Sequence, residues 1–262
     1  MKLFRAISAA LITLTLAFSA GAADKQSTAN ELASKLSALR QNGVSYIRLR
    51  MEIKGAAKDT LQLQIKERLT TNSSEIVYQV LFPKERKGES VLLRKTGNSP
   101  ATGSVFVPPN TTRQIDDLKQ PLLGSDLTYE DVIENFFAWE QQAIVGSEKV
   151  DAVNCAILES KPGKDQPSMY ASVKSWIDTR RLVPLRVEKY DNSGKLLRRI
   201  DTTQVVTDAG QNLPADLTIT SAKPDSSTRL DGSRISHDVT FTDRDFTPEA
   251  LKELAVPHRS PN

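Results

Sequence analysis

Few residues of this chain have the types and spacing that bond-making chemistry requires. Among its 262 residues are two histidines and one cysteine. His258 lies in the tail, and His237 stands in the strand-like run Ile235-Ser236-His237-Asp238-Val239, where it reads as an exposed strand residue. Cys155 has no partner for an internal disulfide and sits in Val153-Asn154-Cys155-Ala156-Ile157-Leu158. That setting predicts a buried thiol packed as a small hydrophobe. Two carboxylate pairs, Asp116-Asp117 and Glu130-Asp131, could share acid–base work. The first reads as a solvated turn, the second as the first turn of a helix, where anions oppose the helix dipole favourably. No H-E-x-x-H, paired-cysteine or calcium-loop spacing occurs, and no G-x-S-x-G elbow, phosphate loop or dinucleotide fingerprint. The two Asn-x-Ser/Thr sequons, at Asn72 and Asn110, matter only in a eukaryotic secretory route. The chain therefore reads as a non-enzyme with no metal and no cofactor.

Apolar stripes remain as the candidate functional feature. In Ile47-Arg48-Leu49-Arg50-Met51-Glu52-Ile53-Lys54, apolar and charged residues alternate, which predicts a half-buried strand. Leu61 to Lys66 repeats the pattern, and strands are expected over Ile76–Phe82, Ser90–Lys95 and Ser104–Val107. Pro108-Pro109-Asn110 breaks the pattern and opens a polar stretch. Thr128-x-x-Asp131 has capping-box spacing, and Val132, Ile133, Phe136 and Phe137 continue a helical face towards Trp139. Strand signals resume near 143–145, 150–160, 170–178, 185–190, 196–206, 217–222 and 234–242. Asp191-Asn192-Ser193-Gly194 is hairpin chemistry, and Pro184 is placed at a strand start or edge. Thr28-Ala29-Asn30-Glu31 predicts the start of an N-terminal helix that Asn42-Gly43 stops, and Thr247 to Leu251 a last helical turn. The count is about eleven or twelve strands with two or three helices, which implies one strongly curved antiparallel sheet rather than a helix-alternating parallel one.

The ends set the compartment. Lys2 and Arg5, the apolar run Ala6–Phe18 and the small residues through Ala23 form a secretory signal peptide, with cleavage after Ala22 or Ala23. The run is about 13 residues long, short of the ~20 a spanning helix needs. No cysteine sits at the cleavage site, so the mature chain is expected to be periplasmic and unanchored. Residues 24–256 then read as one domain and 257–262 as a frayed tail. Net charge is +3, or +1 without Lys2 and Arg5. A nucleic-acid partner needs a strong basic excess, so none is expected.

From Phe106 onward the chain resembles the LolA-like family of bacterial outer-membrane lipoprotein-sorting proteins, in the branch found beside transporter genes. Three stretches carry the resemblance: Phe106-Val107-Pro108-Pro109 with Arg113-Gln114-Ile115; the signature Leu123-Gly124-Ser125-Asp126-Leu127-Thr128-Tyr129-Glu130-Asp131-Val132; and Tyr170 through Asp178, Leu182 through Glu188 and the hairpin Tyr190–Leu196. Leu127 stands where an aromatic is commoner. Phe246 to Leu251 matches the family's usual ending. The resemblance implies an unclosed antiparallel barrel with helices as a lid over an apolar cavity that holds acyl chains in transit. Its expected lining is Leu49, Met51, Ile53, Leu61, Leu63, Ile65, Phe136, Phe137 and Trp176; Gly124, Ser125, Asp126, Thr128, Tyr129 and Asp131 belong to the lid. The plain alternative for the lining is ordinary hydrophobic core. Better-studied carriers control the lid with an arginine; none matches in register here, and Arg48 and Arg50 read as outward-facing. A lid over such a cavity implies a mobile helix from Thr128 to Trp139.

The implied function is a periplasmic carrier of lipid or lipoprotein acyl chains, monomeric, with an inner-membrane transporter and an outer-membrane acceptor as possible partners. The alternatives are a non-enzymatic interaction or sensor partner of a transporter or signalling complex on the same scaffold, a hydrolase with unrecognised residues, and a structural envelope domain.

Overall fold

Alternation along the chain leaves each strand one apolar face, and a long meander is the simplest way to bury such faces together. The computed structural model describes residues 19–40, 43–56, 58–208, 210–256 and 258–259. A helix, α1 (Ser19–Arg40), precedes six strands: β1 (Gly43–Lys54), β2 (Asp59–Leu69), β3 (Ser73–Phe82), β4 (Ser90–Thr96), β5 (Thr102–Val107) and β6 (Thr111–Gln114). A middle segment carries 3-10 turns at Leu122–Gly124 and Phe136–Ala138 around the short helix α2 (Tyr129–Ile133). Seven strands follow: β7 (Gln141–Val150), β8 (Val153–Lys161), β9 (Ser172–Asp178), β10 (Val183–Tyr190), β11 (Leu196–Asp208), β12 (Gln211–Ser221) and β13 (Ser227–Ser236).

These thirteen strands form one antiparallel sheet in the order β6-β5-β4-β3-β2-β1-β13-β12-β11-β10-β9-β8-β7. Each half is a meander, and among the described residues they are joined through β1 against β13, where Met51 faces Leu230 and Ile47 faces Ile235. The sheet is strongly curved and unclosed, with β6 and β7 as its two edges. This is the curved, open antiparallel sheet expected from the sequence.

Its concave side is packed in two clusters. Over β1–β5, Met51, Leu61, Leu63, Ile65, Ile76, Tyr78, Val80 and Leu93 are covered by Leu122, Leu123, Leu127, Tyr129 and Ile133 of the middle segment. Over β8–β10, Leu158, Val173, Ile177 and Val187 are covered by Ala29, Leu32, Ala33 and Leu36 of α1 and by Phe136, Phe137 and Trp139. On the convex side, Phe246 and Leu251, in two C-terminal 3-10 turns (Asp243–Phe246 and Ala250–Lys252), pack on Val77, Leu92 and Phe106. A fourth cluster there joins Val150, Cys155, Trp176, Val183 and Leu185.

Several local expectations are corrected. α1 spans Ser19–Arg40, so Thr28 lies inside it rather than at its start. The signal peptide's charged and apolar parts lie outside the described residues. Pro108-Pro109-Asn110 does not end the sheet: it turns β5 into β6, whose Thr111-Thr112-Arg113-Gln114 is fully exposed along an edge, where no alternation is needed. The helix expected through Trp139 stops at Ile133 because Glu134 turns extended, and Phe136 and Phe137 belong to a separate 3-10 turn. The strand expected from Arg234 begins at Ser227 and ends at Ser236. Within the expected frayed tail, Arg259 pairs with Val239 and His258 with Thr240; the rest lies outside the described residues.

Candidate functional site

The resemblance signature is where polar chemistry enters the concave side. Its turn needs glycine: Leu123 and Gly124 both take left-handed backbone, at φ 52 and 86. Open space surrounds a Cβ placed on Gly124, so conformation rather than crowding selects glycine there. Ser125 Oγ then accepts from Leu127 N at 3.2 Å. Thr128 caps α2 with both bonds of a capping box, its hydroxyl accepting from Asp131 N and its own N–H donating to Asp131 Oδ2 at 2.7 Å.

Each of the three acids in this stretch is a buried anchor to a different wall. Asp126 accepts from the hydroxyls of Ser221 (2.6 Å), Ser226 (2.7 Å) and Thr228 (2.9 Å) at the β12–β13 turn. Glu130 accepts from the Ser168 hydroxyl and from Met169 N at 3.0 Å. Burial outweighs those bonds and pushes its carboxyl pKa up. Asp131 meets two cations, Lys189 Nζ at 2.7 Å and Arg198 Nε at 2.5 Å, and accepts from the Tyr170 hydroxyl at 2.6 Å. Lys189 and Arg198 face each other across β10 and β11, a like-charge pair that Asp131 neutralises. Burial opposes ionisation of Asp131, but the two cations win and hold its carboxyl well below the ordinary range. Lys189 also lies over the rings of Tyr170 and Phe136, at 5.0 and 5.4 Å. The middle segment is thus strapped into the sheet by ions and hydroxyls. In place of one helix over Thr128–Trp139, the segment is a short helix and a separate 3-10 turn, held to the sheet through Asp126, Glu130 and Asp131.

One end of the concave side is left unfilled. A cleft of about 260 Å³ lies between the end of α1, the start of β1, the end of β2 and the β12 and β13 ends. Its apolar wall includes Ile47, Leu69, Ile76, Ile133, Leu213 and Ile235. Its polar wall includes Ser45, Glu67, Arg40, His237 and Asn135, with Ser74 and Gln211 beside them. Glu67 continues the inward alternation of Leu61, Leu63 and Ile65, a carboxylate where the pattern otherwise places hydrophobes. It accepts from Ser45 Oγ at 2.7 Å, and burial pushes its pKa up against the opposing effects of Ser45, Arg40 and His237. Arg40 donates from the helix end to Val132 O at 3.0 Å, tying α1 to α2. His237 pairs with Asp208 at 2.7 Å.

The expected lining residues are therefore divided. Met51, Leu61, Leu63 and Ile65 are at most 4% exposed and packed under the middle segment, with Leu49 and Ile53 at the edge of that cluster. Phe136 and Phe137 pack with α1 in the other half. Trp176 is on the opposite face of the sheet: its ring stacks under Arg186 and its Nε1 donates to Glu148 at 2.8 Å. Along β9 it alternates with Ile177, which takes the concave position. Ser125, Asp126, Thr128, Tyr129 and Asp131 of the middle segment are buried, and Gly124 is exposed at its turn. Arg48 and Arg50 are exposed. Sequence reasoning missed Glu67, Arg40, Lys189, Arg198 and Tyr170. Glu67 carries a readable signal, a charge at an inward position of an alternating strand. Lys189 occupies an equivalent place, although a bulge between Pro184 and Arg186 shifts the phase of β10. Cys155 is buried as expected, and burial raises its thiol pKa.

Comparisons with known proteins follow from this geometry. The model of a family described as an uncharacterized protein matches residues 72–253, more than half of the chain. No curated protein matches. Among solved structures, a DUF1329 family protein from Desulfovibrio piger is 21% identical at a TM-score of 0.80, covering 87% of this chain and 99% of that one. A domain named for outer membrane lipoprotein sorting, from Vibrio parahaemolyticus, is 20% identical at a TM-score of 0.78, covering 87% and 100%. A LolA superfamily protein from Nitrosomonas europaea is 20% identical at a TM-score of 0.68, covering 85% and 98%. At such identities these three share the fold. With its family model matching residues 72–253, the chain belongs to that family of uncharacterized proteins, and it shares the curved open sheet of the LolA superfamily protein.

Proposed function

We propose that the protein is a non-enzymatic periplasmic carrier that holds an acyl chain of a lipid or lipoprotein against the concave side of its sheet. The observation that supports this reading is the cleft with an apolar wall at the unfilled end of that side. The names of the Vibrio parahaemolyticus and Nitrosomonas europaea neighbours point the same way. No helix of the described residues is long and apolar enough to cross a membrane, which fits a chain that moves between membranes rather than sitting in one.

Magnitudes bound the mechanism. An acyl chain gains about 0.8 kcal/mol per buried methylene, so one long chain approaches ~12 kcal/mol before the costs of ordering it. The cleft, at about 260 Å³, falls just below the roughly 300–1,000 Å³ typical of ligand pockets. A long chain therefore enters fully only if α2 and the turn at Phe136 shift, breaking the Arg40 bond to Val132 O on the way. Those same anchors supply the restoring force for release.

The test is native mass spectrometry of the mature protein purified from an envelope fraction without detergent, followed by solvent extraction. A bound lipid or acylated peptide is expected. A clean apo mass with no uptake from added vesicles would favour a protein-partner role instead. Two variants locate the site. Ile235→Glu, in the cleft wall, is expected to abolish cargo retention with a small loss in melting temperature. Leu63→Glu, which buries a charge in the packed cluster, is expected to lose folding and retention together.

A further inference from the structure

The cleft's polar wall is not balanced. Two acceptors in it, the Glu67 carboxylate and Asn135 Oδ1, receive few hydrogen bonds among the described residues. Among the described residues Glu67 receives one side-chain hydrogen bond, from Ser45 to Oε2. Asn135 spends its amide nitrogen on Ser37 Oγ at 2.9 Å, and its Oδ1 is buried and finds no donor among the described residues. The nearby cation, Arg40, is committed to Val132 O and faces Glu134 as well as Glu67. The imidazole of His237 is held by Asp208. From β3, Tyr78 faces the same carboxylate and supplies no positive charge. A partly buried carboxylate beside an unpaired acceptor attracts a cationic hydrogen-bond donor and repels an anionic head.

We propose that the cleft takes amphiphiles whose polar end is a protonated amine, with that amine on Glu67 and the chain along Ile47, Ile76, Leu213 and Ile235. The proposal rests on the acyl-carrier reading and adds the chemical class of the cargo's head. Burial raises the Glu67 pKa even beside Arg40 and His237, so an amine that pairs with the carboxylate offsets a desolvation those two groups leave uncompensated.

Three probes of equal chain length isolate the head: dodecylamine, dodecanol and dodecanoate, each below its aggregation concentration, titrated calorimetrically into the full mature chain. Dodecylamine is expected to bind at least tenfold more tightly than dodecanol, and dodecanoate most weakly. Glu67→Gln is expected to erase the amine's advantage and leave dodecanol affinity unchanged. The second measurement needs no folded variant: the amine's advantage in the wild-type protein is expected to fall as pH drops through the titration of Glu67, with dodecanol binding flat. The same profile in His237→Gln removes the imidazole as its source. Equal or tighter binding of dodecanol or dodecanoate would overturn the amine assignment alone. Binding of none of the three would overturn the carrier reading together with it.

Discussion

At the scale of single residues, Asp131 does the most to fix the concave side. Its carboxylate is fully buried between Lys189 and Arg198, so removing it strands two cations away from water. Breaking one side of a buried ionic group in this way costs about 3–5 kcal/mol. Asp131→Ala is expected to lower stability by that amount in urea titration, whereas an unchanged midpoint would mean that water reaches the two cations. The pH dependence has a definite sign. The folded pKa lies below the unfolded value of about 3.9. Its stabilisation is therefore complete above about pH 4 and declines as pH falls towards the folded pKa. The wild-type protein should lose stability more steeply than Asp131→Asn between about pH 4 and pH 2, the difference isolating this group from other carboxylates. Gly124 makes a backbone demand instead. Gly124→Val meets no clash but must hold left-handed φ, at about 1–2 kcal/mol. A melting curve identical to wild type would show that the turn relaxes. Both positions were readable beforehand, Asp131 through its capping-box spacing and Gly124 through its residue type. The partners of Asp131 were not, because Lys189 and Arg198 come from strands paired far along the chain.

At the scale of elements, the middle segment decides whether the concave side is a core or a container. Its hydrophobes complete one packed cluster, and its acids tie it to β12–β13, to the loop before β9 and to β10–β11. A container needs this segment to move, and the anchor that can be weakened with least damage to the core is Asp126. Asp126→Ala leaves Ser221 and Ser226 near a turn, where water can replace the lost acceptor, while buried Thr228 keeps the bond from the residue-126 N–H. Hydrogen exchange is expected to speed up at the amides of 126–134 in this variant, while those of β3 and β4 stay protected. Acceleration across all strands would mean that the segment is an inseparable part of the core and would count against a carrier. Capping and period revealed that a helix starts here; its end after one turn was hidden. Val132, Ile133, Phe136 and Phe137 keep a helical spacing, but Glu134 leaves it to reach Lys95 and Trp139, at 2.5 and 2.9 Å.

At the scale of the whole molecule, alternation located nearly every strand, because a half-buried strand must display it. β6 escaped because an exposed edge strand has no buried face, and Trp176 was assigned to the wrong face because alternation gives two faces without saying which is concave. The junction of β1 with β13 is equally silent in the sequence, since it joins the two ends of the sheet-forming chain. That junction makes the halves one sheet and carries the last prediction. Both tryptophans, Trp139 and Trp176, pack with β7–β10 strands, so their fluorescence reports on one half. Leu63→Ala truncates a fully buried side chain in the other half, a change worth about 2–5 kcal/mol. If β1–β13 pairing couples the halves into one cooperative unit, this variant shifts the fluorescence transition as far as the circular dichroism transition. A fluorescence midpoint left at its wild-type value would show that residues 24–256 unfold as two units, with the middle segment as the hinge between them.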